Sequence, residues 1–306
     1  SLMIITCHYF FFFFYMFKNP EIMNTKFFIY GATLALLNFN ICVAKTKITL
    51  QKAFDKKYIT AKAICKGGLE LDYSVCNLLK DSLLITIPAG WRFNSNAGKN
   101  DYQDILLVHE EILVLKPKQM KVFDIKGYCC EATKAGPRQG APYTLGKMAD
   151  SSLVLLARYL NTHKIDSNTE QYSVWAISDG KETANITANN DSIASLLRTF
   201  VAKVKGEPLP WYTLLKRAKV TNSGEVHDHP VKFKADITYV IPEICYSYCY
   251  IVDVKGNKVS EIFGRWLQPD KTDYAANFNV AGLAKGEYKL ILEGKNVPLF
   301  EKTFKI

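Results

Sequence analysis

Residues 82–91 have the sequence SLLITIPAGW, and this stretch indicates the fold of the first half of the chain. Its apolar and β-branched residues are typical of a strand, Pro88, Ala89 and Gly90 close that strand, and Trp91 resumes the apolar side. Similar short runs, each closed by Gly, Pro, Asn or Asp, lie on both sides: YITAKAIC (58–65), LELDYSVCNLL (69–79), DILLVHE (104–110), EILVLKP (111–117) and QMKVFDIKGYCC (119–130). ITLQKAF (48–54) precedes them as a strand or a short helix. The spacing predicts an antiparallel β part.

From Ala149 the apolar period becomes that of a helix. In ADSSLVLLARYLNTH (149–163), Asp150 or Ser151 is the predicted cap of an amphipathic helix. A second helix is predicted from about Ser167 to Trp175, with Asn168 or Thr169 near its start. A third covers NDSIASLLRTFVAKV (190–204), with Asn190 or Asp191 as its cap, and stops before Gly206. An antiparallel β part followed by a three-helix cluster predicts an α+β domain over residues 45–205.

Residues 206–232 are expected to be a linker, because they are polar and rich in Gly and Pro. The triplet HDH at 227–229 lies in this stretch and is interpreted as solvated rather than metal-binding. Residues 233–306 have a β pattern again, in which Lys255, Gly256 and Asn257 form a tight hairpin signal. We therefore expect a C-terminal all-β domain, and the resemblance described below implies that it is an immunoglobulin-like sandwich.

The first 44 residues belong to neither domain. Residues 23–44, MNTKFFIYGATLALLNFNICVA, have a short basic start, an apolar stretch and a small-residue end, the order of a secretory signal peptide. Met23 is then the predicted true start, and residues 1–22 are upstream sequence translated in frame. The alternative is a membrane anchor over residues 1–44. It is disfavoured because KNPE at 18–21 keeps both apolar runs short of the ~20 continuous residues of a spanning helix.

Charge and composition limit the classes of partner. The 306 residues are 48% apolar and carry a formal net charge of +10, which suits a globular protein that is attracted to acidic surfaces. The basic residues are scattered, so no specific nucleic-acid module is predicted. The known signatures of hydrolases, metalloproteases, P-loop and dinucleotide-binding enzymes are missing from the sequence, and we expect no enzymatic activity, cofactor or metal.

Six cysteines follow the predicted signal peptide. Cys65 and Cys76 lie on the two sides of a predicted hairpin and are the candidate disulfide pair. Cys245 and Cys249 lie on one predicted strand, where positions four apart are separated by about 13 Å, too far for a disulfide. These two are interpreted as small core residues or free thiols.

Two segments about forty residues apart carry the strongest functional signal. The first is GYCCEA (127–132), and the second is NTEQYSVWAIS (168–178), in which a glutamine precedes a tryptophan by four positions. This pair resembles bacterial surface thioester (TQXA-like) domains, where a cysteine condenses with a glutamine side chain and releases ammonia. The resemblance implies a thioester between Cys129 and Gln171, with Glu131, Tyr143 and Trp175 as supporting residues. The sequence departs from the family pattern at Glu170, where a threonine is usual, and at Ser173, where an alanine is usual.

A purely structural interpretation of the same residues stays open. Cys129 can be a small core residue, Gln171 can bind backbone, and Trp175 can pack in the core without any chemistry. In that case the segment supports a binding or assembly domain.

The C-terminal segment carries a second resemblance. IVDVKGNKV (251–259), LAKGEYKLIL (283–292) and the final strand EKTFKI (301–306) are similar to FlgD-like immunoglobulin modules and to the sorting domains of type IX-secreted proteins of Bacteroidota. A FlgD-like module would remain in the mature protein as a spacer or polymerisation surface. A sorting domain would instead direct the protein to its secretion system.

Two functional classes follow from these patterns. One is a secreted cell-surface adhesion protein whose partner is a surface polysaccharide or a protein nucleophile. The other is a non-covalent subunit of an extracellular filament or matrix, whose partners are copies of itself. The membrane is then involved only through export.

Overall fold

The computed structural model describes residues 46–95 and 102–306. The predicted upstream segment (1–22), the signal peptide (23–44) and the alternative anchor lie outside the described residues. Within them the chain is mostly β, with several antiparallel sheets and four α-helices. None of these helices combines the length and the apolar character needed to cross a membrane.

The first half begins with strand β1 (Thr46–Thr49) and the short helix α1 (Leu50–Asp55). The strands that follow are β2 (Ile59–Gly67), β3 (Glu70–Asn77), β4 (Leu83–Ile87), β5 (Trp91–Phe93), β6 (Ile105–Leu107), β7 (Glu111–Leu115), β8 (Met120–Lys126), β9 (Tyr128–Cys129), β10 (Pro142–Tyr143) and β11 (Lys147–Met148). They form three sheets, in the orders β1-β4-β7, β10-β2-β3-β8 and β11-β5-β6-β9. The pairs are antiparallel except for β1 with β4, which is parallel.

The stretch 82–91 forms β4 and β5 as its pattern predicts. Leu83, Ile85 and Ile87 alternate into the core and are fully buried, at 0% exposure each. Trp91 begins β5 and lies in the same core. Successive side chains of a strand point to opposite faces, which is why these alternate residues share the core.

Three further helices follow: α2 (Ser151–Thr162), α3 (Ser167–Ser178) and α4 (Asp191–Lys205). Each begins at a side-chain cap, because the Asp150, Asp166 and Asn190 side chains accept hydrogen bonds from backbone N–H groups of the first turn. The cap of α3 is Asp166, and Asn168 and Thr169 lie in its first turn, near its start as predicted. Gly206 ends α4 with φ 69°, a left-handed conformation that glycine adopts without strain.

These helices contact one another and cover one sheet of the first half. Leu153, Leu156 and Leu160 of α2 share a core with Leu106 of β6 and Tyr128 of β9. The members from the other helices are Val174, Ala176, Leu197 and Val201. This core places α3 directly beside β9.

The predicted linker at 206–232 is mostly β-structure instead. Strand β12 (Thr213–Val220) and strand β13 (Val226–Ile241) pair antiparallel across the turn at 221–225. The polar residues that suggested a linker belong to a two-stranded ribbon in which some side chains are exposed and others are covered, and Pro230 is tolerated because it adjoins a bulge in the ladder. Polarity and a proline were thus the wrong basis for predicting irregular backbone here.

The remaining strands are β14 (Cys245–Asp253), β15 (Lys258–Leu267), β16 (Asp270–Asn279), β17 (Glu287–Gly294) and β18 (Val297–Lys305). They complete two sheets, in the orders β12-β13-β16 and β15-β14-β17-β18. Phe233 and Ile237 of the first sheet share a core with Ile251, Leu290 and Phe304 of the second. Gly256, with φ 84°, forms the predicted turn between β14 and β15.

Residues 46–306 pack as one unit. Ala184, in the 3₁₀ turn Thr183–Asn185 between α3 and α4, lies in the same core as Tyr212 and Leu214 at the start of the second half. The two halves of the chain are therefore joined by apolar contact as well as by sequence.

The candidate disulfide between Cys65 and Cys76 is wrong. Cys65 lies opposite Leu71 and Cys76 opposite Thr60 in the β2–β3 ladder. The two cysteines are thus five ladder positions apart, or about 16 Å, well beyond disulfide reach. The cysteines of the described residues are free thiols, and Cys245 and Cys249 lie buried on β14.

Gly127 offers a test of how β9 is positioned. A Cβ atom at this residue would lie 2.5 Å from Cγ2 of Ile105 and 2.7 Å from the backbone oxygen of Leu106. We expect Gly127→Ala to lower the free energy of unfolding by about 1–3 kcal/mol, because the sheet must shift to admit the methyl group. Gly286→Ala is the control, since its Cβ would meet only Tyr288, at 3.9 Å. Urea unfolding of both variants measures the difference, and equal stabilities would contradict this account.

Candidate functional site

Strand β9 places Cys129 in the interior of the first half. It pairs antiparallel with β6, so that Cys129 lies opposite Ile105 and Tyr128 opposite Leu106. Cys129 is only 6% exposed. Its backbone faces α3 on the side away from β6.

Gln171 of α3 binds the backbone of Cys129 through two hydrogen bonds. The N–H of Cys129 donates to Oε1 of Gln171 over 3.0 Å, and Nε2 of Gln171 donates to the Cys129 carbonyl over 2.8 Å. The carboxamide thus takes the place of a neighbouring strand along the free edge of β9. Two residues 42 positions apart, both predicted as site residues, are brought together by this pair of bonds.

Three more side-chain hydrogen bonds fasten α3 to the same segment. The hydroxyl of Tyr128 donates to the carboxylate of Glu170, and the hydroxyl of Ser178 donates to the carbonyl of Cys130. The N–H of Ala132 donates to Oδ2 of Asp179 over 3.1 Å. The helix is therefore held against residues 128–132 near both of its ends, through the Tyr128 side chain and the backbone of Cys129, Cys130 and Ala132.

Trp175 forms one wall of this region. It packs with Cys129 and Ala132, and the partly buried Tyr172 and Val226 border the group. Its ring is 7% exposed, and among the described residues its Nε1–H has no hydrogen-bond partner. The predicted shielding role of Trp175 stays a prediction, and this packing is consistent with it.

Burial controls the protonation state of the Cys129 and Cys130 thiols. Burial, with a smaller effect from the charges of Glu131 and Cys65, raises the pKa of Cys129 to about 12. Burial also raises the pKa of Cys130, against the opposing charge of Arg92. Both thiols are therefore protonated at neutral pH, and the nucleophilic thiolate is rare.

Glu131 belongs to a buried polar cluster beside the cysteines. Its carboxylate pairs with Arg92 and accepts a hydrogen bond from the N–H of Asp104 over 2.8 Å. Arg92 also pairs with Asp104, at 2.8 Å. Burial raises the pKa of Glu131, and the Asp104 N–H and Arg92 oppose that rise. Glu131 thus fixes the loop after β9 and adds negative charge near the thiol.

Tyr143 of β10 is also near Cys129. Its hydroxyl donates to the Gln103 carbonyl over 2.8 Å, and it is 4% exposed. Burial raises the pKa of Tyr143, with contributions from Cys65 and Cys129. Its hydroxyl is engaged with backbone, so its direct contribution is to the position of the 103–104 segment.

The turn between β12 and β13 docks on the loop that follows the cysteines. The N–H of Gly136 donates to the Ser223 carbonyl over 2.7 Å, and the N–H of Val226 donates to the Ala132 carbonyl over 2.8 Å. Gly224, with φ 86°, lies so close that a Cβ atom there would be 2.7 Å from the nitrogen of Gly136. The ribbon therefore covers the region at its Val226 side.

A buried charge cluster holds the ribbon against α3. Asp228 accepts hydrogen bonds from Lys181 over 2.6 Å and from Tyr172 over 3.1 Å, and Lys216 lies 3.5 Å away. The Asp228 side chain is 4% exposed. Burial by itself would raise the pKa of Asp228, but Lys181 and Lys216 outweigh it and the pKa lies below its ordinary value. For Lys216 the effect of burial is larger than that of the Asp228 charge, and the pKa of its ammonium is lowered.

The structure changes the interpretation of several residues. Asp228, taken from the sequence as part of a solvated triplet, is buried and paired. Glu170, noted in the sequence only as a departure from the family pattern, binds the Tyr128 hydroxyl. Ser178 and Asp179 were not predicted as site residues, although Ser178 follows Gln171 by seven positions and so shares its helix face. That spacing was the available signal for Ser178. The signal for Asp228 was absent, since its partners come from distant segments.

Comparisons with known proteins give no identification: neither the protein-family models nor the curated proteins include a match to this chain. Across residues 46–95 and 102–306, no three His, Cys, Asp or Glu side chains converge as a metal ion would require.

We expect Asp228→Ala to loosen the ribbon and to expose the cysteines. Removing the carboxylate leaves Lys181 and Lys216 buried without their partner, which costs about 3 kcal/mol of stability. His229→Ala is the control, because His229 is exposed on the same strand. Iodoacetamide labelling followed by peptide mapping should modify Cys130, the buried thiol that lies outside the Cys129–Gln171 pair, faster in Asp228→Ala than in the control. Equal labelling rates would show that the cluster does not guard the thiols.

Proposed function

We propose that this chain is a secreted surface-attachment protein in which Cys129 and Gln171 form an internal thioester. The observation that supports this most directly is the pair of hydrogen bonds between the Gln171 carboxamide and the Cys129 backbone. It holds the carbonyl carbon of Gln171 beside the residue that carries the nucleophilic sulfur. Such proximity is the largest requirement of an uncatalysed condensation.

The chemistry follows from the same two bonds. The sulfur of Cys129 attacks Cδ of Gln171, the bond from Cδ to Nε2 breaks, and the thiol proton leaves with the nitrogen as ammonia. The N–H of Cys129 donates to Oε1, so it stabilises the negative charge that develops on this oxygen. No oxidant or cofactor is consumed.

Shielding from water would preserve the bond until a partner arrives. Cys129 and Trp175 are buried, and the docked turn around Gly224 closes one side. An amine or hydroxyl on a surface polysaccharide or protein would then attack Cδ, forming an amide or ester and returning the proton to the cysteine sulfur. The outcome is covalent attachment through Gln171.

The finer architecture belongs to this proposal. We infer that the helices and β part of residues 45–205 form one thioester-like α+β domain and that the two C-terminal sheets form an immunoglobulin-like sandwich. Their shared apolar core supports a face-to-face arrangement. The sandwich would then hold the reactive domain away from the cell surface.

A filament subunit is the second candidate, and one observation favours it. β7 and β8 are edge strands of their sheets. Both expose large apolar side chains: Ile112 (54%), Val114 (40%), Met120 (72%) and Val122 (53%). Edge strands of this kind can add a strand from another copy.

Intact mass separates the two candidates. We expect the mature chain, purified without amines or reducing agent, to weigh less than its sequence by one ammonia. Peptide mapping should place the loss on the peptides that hold Cys129 and Gln171. Full sequence mass, together with concentration-dependent polymers, would favour the filament subunit and reject the thioester.

Matched variants make this test specific. Cys129→Ala and Gln171→Ala should each restore the full expected mass. Cys130→Ala should keep the deficit, because Cys130 is an equally buried neighbour whose backbone is held by Ser178 instead. A deficit that persists in Gln171→Ala would point to another modification.

The raised pKa of Cys129 predicts how the condensation depends on pH. Because this pKa is about 12, the thiolate fraction increases about tenfold for each pH unit between pH 7 and pH 9. The initial rate of ammonia loss after refolding should therefore increase by a similar factor. Mass spectrometry of timed samples measures it, and a rate independent of pH would exclude thiolate attack as the slow step.

A further inference from the structure

The outer faces of the two C-terminal sheets differ in chemistry. On the three-stranded sheet the exposed positions are mainly polar: Lys232, Lys234, Asp236, Thr238 and Val240 of β13, and Lys271, Asp273, Ala275 and Asn277 of β16. On the four-stranded sheet the corresponding positions of β14 are Tyr246, Tyr248 and Tyr250, and Trp266 lies beside them on β15. Trp266 is 64% exposed and Tyr248 is 45% exposed. Aromatic residues on a solvent-facing sheet surface mark a binding site more often than a scattered apolar residue does.

The register arranges these rings in a row. Tyr246 pairs with Trp266, and Tyr248 pairs with Gly264 on one side and Glu293 on the other. A Cβ atom at Gly264 would be 3.2 Å from the Tyr248 ring, so the glycine leaves room for that ring to lie over the strand. Tyr246 contacts both Tyr248 and Trp266 edge to face. The rings thus form a continuous platform across two strands.

A cavity of about 720 Å³ adjoins this platform. Tyr248 and Tyr250 line it, together with the turn at 253–256. Three acidic and three basic side chains surround the rings: Asp253, Glu293, Glu301, Lys255, Lys258 and Lys289. The cavity therefore combines aromatic surface with many hydrogen-bonding groups and carries no net formal charge.

The polar groups are already ordered. The hydroxyl of Tyr250 donates to Glu293 over 2.6 Å, and Lys289 pairs with Glu301 at 2.6 Å. The ammonium of Lys258 lies 5.2 Å from the centre of the Tyr250 ring. Donor and acceptor side chains are therefore both present next to the Tyr248 and Tyr250 rings.

We propose that this cavity binds a neutral glycan. A pyranose ring has an apolar face of C–H groups, which can pack on a tyrosine or tryptophan ring, and a rim of hydroxyls that need both donors and acceptors. The Tyr248 and Tyr250 rings supply the apolar surface for the C–H face. The hydrogen-bonding groups for the hydroxyls come from Glu293, Glu301, Lys258 and Lys289. An amphipathic ligand matches a site that is apolar and densely hydrogen-bonding at once.

Other ligand classes match the cavity less well. A nucleic acid or an acidic polysaccharide needs a surplus of basic groups, and here acids and bases balance in spite of the chain's net charge of +10. A protein interface is depleted of charged residues at its centre, whereas here six of them surround the rings. Balanced charge with exposed rings thus favours the uncharged polyhydroxyl ligand.

The inference stands independently of the thioester. The cavity lies on β14, β17 and β18, the start of β15 and the turn at 253–256, and none of its residues contacts Cys129 or Gln171 in the interactions described above. If both proposals hold, the C-terminal half supplies reversible glycan contact while the first half forms the covalent bond.

Affinity electrophoresis of the full chain tests the site. Cathodic native gels are cast with dextran, laminarin, mannan or xylan. We expect retardation in at least one gel, and Tyr248→Ala and Tyr250→Ala should each weaken it at least tenfold. Tyr250→Phe should keep most of the retardation, because the ring remains. Val240→Ala, on the outer face of the other sheet, should match the unmodified chain.

Three results would overturn the proposal. The first is no retardation in any of the four gels. The second is retardation that the alanine variants leave unchanged. The third is self-association of the chain, seen by sedimentation velocity and abolished by Tyr248→Ala, in the absence of any retardation. The third would show that the face joins copies of the chain. Circular dichroism of each variant checks that a loss of retardation does not come from misfolding. Glycan binding does not change the intact mass of the chain. Gel retardation therefore tests the glycan proposal and intact mass tests the thioester proposal, so either can fail without the other.

Discussion

The arrangement of the first half depends on the hydrogen-bonded pairing of one side-chain carboxamide with one strand residue. Gln171 binds both backbone groups of Cys129, and in this way a helix replaces the strand that would otherwise continue the sheet beyond β9. Backbone groups buried without partners are costly, so the pairing is a condition for β9 to lie in the interior. Ser178 and Asp179 likewise bind backbone groups of Cys130 and Ala132, and Glu170 accepts a hydrogen bond from the Tyr128 hydroxyl.

The same burial sets the chemical character of the site. Removal from water raises the pKa of the Cys129 thiol, which makes the thiol slow to react with solutes and slow to lose its proton. A reactive bond formed in such a place would form slowly and survive long, because water and the thiolate are both scarce. The docked ribbon and its Asp228 cluster extend this protection from a separate part of the chain.

The second half of the chain contributes both to the cysteine site and to a separate solvent-facing surface. Its β12–β13 ribbon reaches the cysteine segment, and its four-stranded sheet presents aromatic rings to solvent on the opposite side of a shared apolar core. Because strand residues alternate between the two faces of a sheet, β14 buries Cys245, Ser247 and Cys249 while exposing Tyr246 and Tyr248. One strand thus serves both the core and the proposed glycan surface.

The sequence by itself determined the elements whose signals are local. The strand in 82–91 and its end at Pro88–Gly90, the helix caps at Asp150 and Asn190, and the turn at Gly256 all follow from residues next to one another. It also indicated that Cys129, Gln171 and Trp175 belong together. Only the tertiary structure decided the rest. It set the ladder register that separates Cys65 from Cys76, turned the polar stretch after Gly206 into a paired ribbon, and buried Asp228 between two lysines. These features depend on which distant segments meet. A polar residue has the same local pattern whether it faces water or a buried partner, so only packing distinguishes the two.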